Sequence, residues 1–344
     1  MENTKKSNRK VVGNLLFLFV VLVVLIILLF SLNDINVIWD IITDSSVPLL
    51  VLALVLSLVH MFLTNSSIHL ITSSLGSSIR YKDSMNIANT EYLFNAITPF
   101  ASGGQPIQAY YFMKKGLTGD QTMSVITSNF IVYQAVSTVL ATLGIIVFFS
   151  DVKEGISGYV WLIFLGYVIN TLILLGAILM SSVKGFRNFL RTIFRGLGKI
   201  KFLNKSMTNL EKKSFEFVER FQVETKKLFK RKRVLFGASG LRLLSLLVVN
   251  SIPIVVFLAL GVTIAPKDYL FILMMTAFAT TFMMWIPTPG ASGGVEWAFT
   301  VLFTGVIASQ PVVIAAMLIW RVLTYYVGII SGFCSYVYIR KDRV

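Results

Sequence analysis

Long apolar runs separated by short polar stretches set the pattern of this chain. The first extends from Val11 to Leu32 behind Lys5, Lys6, Arg9 and Lys10, and the second from Val47 to Ile71. Others cover residues 121–149, 159–182, Val234–Val262 and Pro311 up to Arg340-Lys341-Asp342-Arg343. Each is longer than the roughly 18 apolar residues that mark a membrane-crossing helix. Val11–Leu32 is too long for a signal peptide and lacks a small-residue cleavage site, so it reads as a retained span. Pro48 suits the first turn of the second span, and Pro253 predicts a kink in the fifth.

Two apolar regions, 85–113 and 269–308, are broken by related sequences. Thr98-Pro99-Phe100-Ala101-Ser102-Gly103-Gly104 matches Thr288-Pro289-Gly290-Ala291-Ser292-Gly293-Gly294 at six of seven positions, 190 residues apart. Proline removes a backbone donor and glycine permits sharp turns, so each copy should interrupt a helix within the membrane. Such backbone is tolerated there only when buried in protein or lining a wet cavity. Paired breaks in the two halves of a chain point to a transporter's binding site.

Composition agrees with the pattern. The chain is 56% hydrophobic with 14% charged residues and a mean hydropathy of +0.78, which excludes a soluble fold. The net charge of +15 is concentrated: sixteen of the 31 Lys and Arg lie between Lys184 and Arg233. That placement favours anionic lipid over nucleic acid as the partner. Asn33–Ser46 holds Asp34, Asp40 and Asp44 and no basic residue, which suits the outer side. Arg80, Lys82, Lys114 and Lys115 flank the first motif region on the cytoplasmic side, while the second region begins and ends outside. The expected fold is an all-α polytopic membrane protein with about six full spans and two re-entrant helical hairpins, an inverted 3+3 repeat of about eight membrane segments with both termini cytoplasmic. Residues 1–183 form the first repeat and the start of the second, and 234–344 the remainder. Between them, 184–233 carries Leu210, Phe217, Phe221 and Leu228 on one helical face. That predicts an amphipathic helix on the inner leaflet rather than a solvated loop.

The candidate site follows from the breaks. Backbone amides and half-helix N-termini at Thr98, Pro99, Ser102, Gly103, Gly104 and Gln105, and at Thr288, Pro289, Gly290, Ser292, Gly293 and Gly294, are arranged to bind an anionic head group. Close helix packing is the plainer explanation of the same small residues. Glu296 and Arg321 add a carboxylate and a guanidinium at membrane depth, either paired with each other or with Arg321 on a lipid phosphate. Arg242 is expected to snorkel to a cytoplasmic end, Glu91 to sit at the interface, and His60 to be a hydrogen-bonded packing residue. Gly328 and Gly332 predict a packing seam in the last span. Cys334 is the sole cysteine and there are two histidines, so no disulfide framework, metal site or cofactor is expected. No G-x-S-x-G, H-E-x-x-H or Walker loop is present.

Thr98-Pro99-Phe100 with Gly103-Gly104-Gln105-Pro106, Pro287-Thr288-Pro289-Gly290 with Gly293-Gly294-Val295-Glu296, and Trp320-Arg321 before Tyr325-Tyr326 resemble the lysylphosphatidylglycerol synthetase transmembrane region family. That family includes the flippase domain of the multiple peptide resistance factor, and the resemblance covers about residues 10–340. Gln105 stands where the family pattern carries a glutamate. The resemblance implies a lipid flippase or scramblase of the bacterial cytoplasmic membrane, acting on anionic, aminoacyl- or glycolipids, as a stand-alone member without the soluble synthase domain. Other readings are a lipid aminoacyl- or glycosyltransferase, a non-catalytic membrane subunit docking a lipid-modifying enzyme, and an ion-coupled carrier. Partners beyond lipid would be such an enzyme or a second copy of the chain.

Overall fold

The computed structural model describes residues 35–75, 79–155, 160–182, 231–283, 290–307 and 309–341, together with Thr288 and scattered positions from 216 to 230. The predicted first span and most of 184–233 lie outside the described residues. Among the described residues the architecture is helical, with no strand. In order the helices are α1 (Ile35–Thr43), α2 (Val47–Ser73), α3 (Tyr81–Ala96), α4 (Gly104–Lys114), α5 (Gly119–Gly155) and α6 (Val160–Ser182). There follow α7 (Lys232–Ala259), α8 (Pro266–Met283), α9 (Gly294–Thr304), α10 (Gln310–Arg321), a π-helical turn (Val322–Tyr326) and α11 (Val327–Lys341).

Among the described residues, four stretches are long and apolar enough to cross a membrane: Val47–Ser73, Gly119–Phe148, Lys232–Ala259 and Gln310–Lys341. Leu165–Leu179 is a shorter apolar helix. Pro48 opens α2 where its missing N–H has no helical partner to lose. Helix α7 continues through Pro253, which is buried. The acidic stretch after the first predicted span contains α1, whose Ile38 is buried against Ile314 and Ala315 of α10.

Each heptapeptide joins two helices that fall short of the ~20 residues needed to span. The first lies between α3 and α4, of 16 and 11 residues. The second lies between α8 and α9, of 18 and 11 residues. A span-length helix precedes and follows each pair, so one order of elements occurs twice.

Lipid tails are as apolar as leucine, so close fit and hydrogen bonds, rather than water exclusion, hold these helices together. Along α2 and α7 the contacts are small and polar: Ser67 Oγ donates to the Ala238 carbonyl at 3.1 Å, and Thr64 meets Ser245 at 2.7 Å. His60 Nδ1 lies 2.8 Å from the Ser245 hydroxyl, the packing role expected of it. The halves also clasp each other reciprocally. Helix α11 packs on α3, with Gly332 against the Leu93 amide and Gly328 against the Tyr92 ring. Helix α5 packs on α8, with Gly144 against Met274 and Phe148 edge-on to Phe271 at 5.3 Å. Phe299 and Phe303 of α9 pack with Phe257 of α7, and Phe299 stacks on Trp320 of α10 at 4.9 Å.

A side chain at Gly332 would meet backbone at 2.8 Å from Leu93 N, and backbone cannot give way. Gly332→Leu is expected to lower stability by about 1–3 kcal/mol, the range for overpacking. Thermal unfolding in detergent checks this, with Phe333→Leu on the exposed face as the neutral control.

Candidate functional site

The two heptapeptides adopt related turns. Phe100 and Ala101 are left-handed, at φ 56° and 47°, and the matching Gly290 and Ala291 have φ 60° and 56°. Left-handed backbone is unfavourable for residues bearing a Cβ, so Phe100, Ala101 and Ala291 are held there by their surroundings.

At the first turn those surroundings come from α3. The Thr98 hydroxyl donates to the Phe94 carbonyl at 2.7 Å and accepts from the Gly103 N–H at 2.8 Å. Asn95 Oδ1 accepts from the Gly104 N–H at 2.8 Å, so Asn95 closes the N-terminus of α4. Glu91 in turn accepts from Asn95 Nδ2 at 3.3 Å and Gln108 Nε2 at 3.0 Å. Gly104 is required here, since a Cβ would stand 2.7 Å from Asn95 Oδ1 and 3.0 Å from the Glu91 Cα. Ser102 turns its hydroxyl back to the Pro99 carbonyl at 2.9 Å, and Pro99, Ser102 and Gln105 are exposed.

At the second turn the capping group is charged. Glu296 Oε2 accepts from the Gly293 N–H at 2.8 Å, placing a carboxylate at the positive end of α9. The other oxygen, Oε1, accepts from Arg321 Nε at 2.7 Å and lies 2.6 Å from Nη2. Both side chains are about nine-tenths buried. Thr288 donates to the Ser292 carbonyl at 2.8 Å, and Gly294 begins α9. Pro289 lies outside the described residues.

Tyr325 joins the two turns. Its ring lies 4.5 Å below the Arg321 guanidinium and over Gly290, where a Cβ would come within 2.6 Å of Cε2. Its hydroxyl donates to the Ala96 carbonyl, the last residue of α3, at 3.3 Å. Glu296, Arg321 and Gly290 therefore form one cluster with Tyr325, which ties it to the base of the first turn.

Several expectations are corrected. The amides of Gly103, Gly104 and Gly293 are not free donors for an anion; Thr98, Asn95 and Glu296 already occupy them. Arg242 does not snorkel but is 5% exposed, donating to Asn129 Oδ1 at 2.8 Å and Thr64 Oγ1 at 3.3 Å, beside the Tyr133 ring. Glu91 is partly buried and bonded to Asn95 and Gln108 between α3 and α4. Of the residues assigned to the amphipathic face, Leu228 is described, and it is buried with Ile71, Phe112 and Val125 instead of facing lipid. Sequence reading missed Asn95 and Gln108, and gave Tyr325 only within the family resemblance, with no place in the site. The i, i+4 spacing of Glu91–Asn95 and Arg321–Tyr325 was the available signal. Among the described residues, no three His, Cys, Asp or Glu gather where a metal could bind.

Removing one partner of a buried pair strands the other charge, at a cost of roughly 3–5 kcal/mol. Arg321→Met alone is therefore expected to destabilise more than Arg321→Met with Glu296→Gln. A double-mutant cycle on detergent-solubilised protein measures the difference.

A UPF0104 membrane protein of Archaeoglobus fulgidus is 24% identical over 318 residues, covering 89% of this chain and 91% of that relative. The family described as Lysylphosphatidylglycerol synthase TM region matches residues 14–332, which takes in both turns, Arg321 and Tyr325. This multi-pass membrane protein belongs to the Lysylphosphatidylglycerol synthase TM region family.

Proposed function

We propose that the chain is a lipid flippase or scramblase that moves a polar-headed lipid between the leaflets of the cytoplasmic membrane. In this reading the two motif-bearing helix pairs are re-entrant hairpins entering from opposite faces, within an inverted 3+3 repeat whose termini are cytoplasmic. The twofold element order and the reciprocal clasp of α3 by α11 and α8 by α5 support it. The observation that carries it is Tyr325, which touches both breaks and holds Arg321 between its ring and Glu296.

The chemistry is an exchange of partners. Arg321 has its charge balanced by Glu296, and Glu296 also caps α9. A lipid phosphate can replace the carboxylate on the planar guanidinium with comparable geometry. Glu296 then keeps only its cap, so head-group capture loosens the second hairpin from α10. Passage of the head group restores the pair. Lipid tails stay in the bilayer throughout, and no bound nucleotide is needed.

The test is leaflet exchange of head-group-labelled lipids in liposomes, with and without protein. Wild type should exchange at least one class among anionic, aminoacyl- and glycolipids. Tyr325→Ala and Arg321→Ala should slow it by about tenfold or more, equivalent to roughly 1.4 kcal/mol in the barrier. Exchange equal to that of protein-free vesicles for every class would overturn the proposal.

A further inference from the structure

A groove of about 230 Å³ lies where α2, α3 and α11 meet, away from the Arg321 cluster. Its floor is polar. Asn89 Nδ2 donates to Ser331 Oγ at 2.7 Å and Ser335 Oγ at 2.8 Å, and Asn89 Oδ1 accepts from Asn65 Nδ2 at 3.2 Å. Its outer wall is apolar, formed by Leu58 and Phe62, which are 49% and 55% exposed on the lipid-facing side of α2. No charged side chain lines it.

The hydrogen-bond inventory is incomplete in a specific way. Asn65 is 5% exposed, yet its Oδ1 receives no donor among the described residues. Both serine oxygens accept from Asn89, which leaves each hydroxyl proton available to donate. The floor therefore presents two hydroxyl donors above a buried amide oxygen that lacks one, which a ligand hydroxyl reaches when the Asn65 side chain turns toward the groove. Buried polar groups are normally satisfied, and an unmet one beside a cavity signals a missing partner. An anionic group placed here would lose its hydration with no cation to compensate. Sugar hydroxyls, which donate and accept at neighbouring positions, match the floor.

The depth is also defined. Asn65 is eight residues from the end of α2, Asn89 eight from the start of α3, and Ser335 six from the end of α11. At 1.5 Å per residue all three lie roughly 9–12 Å from the helix ends that carry Arg80, Lys82, Arg340 and Lys341. By the positive-inside rule these are the cytoplasmic ends. Continuing seven residues along α3 reaches Ala96 and Tyr325, about 10 Å farther in.

We propose that this groove is an inner-leaflet binding site for a lipid with an uncharged, sugar-bearing head group, seated on Asn65, Ser331 and Ser335 with its tails beside Leu58 and Phe62. Such a lipid carries no phosphate to displace Glu296 from Arg321, so it is held beside the site of the lipid-transport reading rather than exchanged there, and its binding can be measured without transport.

Native mass spectrometry of the full chain, released from an amine-oxide detergent, is the test. The probes are diglucosyldiacylglycerol and phosphatidylglycerol of matched chains, offered in equal amounts. Wild type should retain the glycolipid about tenfold better, and Asn65→Leu and Ser331→Ala/Ser335→Ala should each lower that retention by several-fold to tenfold. The serine variant keeps the proposal testable should Asn65→Leu fail to fold. Equal retention of both lipids, or undiminished glycolipid retention in a folded variant, overturns the proposal. Glycolipid retention without leaflet exchange of any lipid removes transport and leaves the site. Exchange without selective retention does the reverse.

Discussion

Hydrocarbon offers no hydrogen bonds, and that constraint governs this molecule. Where a helix is broken at membrane depth, every freed amide must find a protein partner or bear the full loss of hydration. Here each break is repaired locally. Asn95 and Thr98 serve the first turn, and Glu296 the second. The repair differs in one respect with wide effect: the first uses neutral groups, while the second uses a carboxylate. A carboxylate so placed needs a cation, and Arg321 supplies it from the following helix. The ion pair, the stacked tyrosine and the link to the other turn all follow from that one choice of cap.

The sequence-level picture of a helical membrane protein with two related interruptions was available because apolar run length and a duplicated heptapeptide are strong local signals. Among the described residues, four span-length helices and two shorter pairs appear where those signals lie. Glu296 and Arg321 were legible as companions because isolated charges in apolar sequence stand out. The function of the glycines was not. From sequence, a Gly-Gly pair reads equally as exposed amide or as close approach. The decision depends on Asn95 lying four residues after Glu91 and facing Gly104, which is a three-dimensional fact. Arg242 misled for a related reason. Its distance from a helix end suggested escape to water, but Asn129 and Tyr133, over a hundred residues earlier, meet it inside. Long-range neutral partners leave no mark on local composition.

The buried polar residues fall into zones of different character. Around Arg321 the cluster is charged and internally neutralised. Between α2, α3 and α11 it is uncharged and rich in amides and hydroxyls. At Arg242 a guanidinium rests on neutral acceptors. In a medium of low dielectric, separating a neutral hydrogen-bonded pair costs less than separating an ion pair with nothing to replace either partner. The zones therefore differ in stiffness as well as in polarity, with the rigid one at the junction of the two turns.

Between α10 and α11 the backbone makes a π-helical turn at Val322–Tyr326. An inserted residue advances a helix by about 100° relative to regular α-helix. On one side of this phase slip, Trp320 and Arg321 address the second hairpin; on the other, Ser331, Gly332 and Ser335 address the first. A single continuous rod thus presents different faces to its two clients only while the slip persists. In a regular α-helix of the same sequence the serines would point away from Asn89, so the seating of α11 on α3 depends on the phase set by this turn.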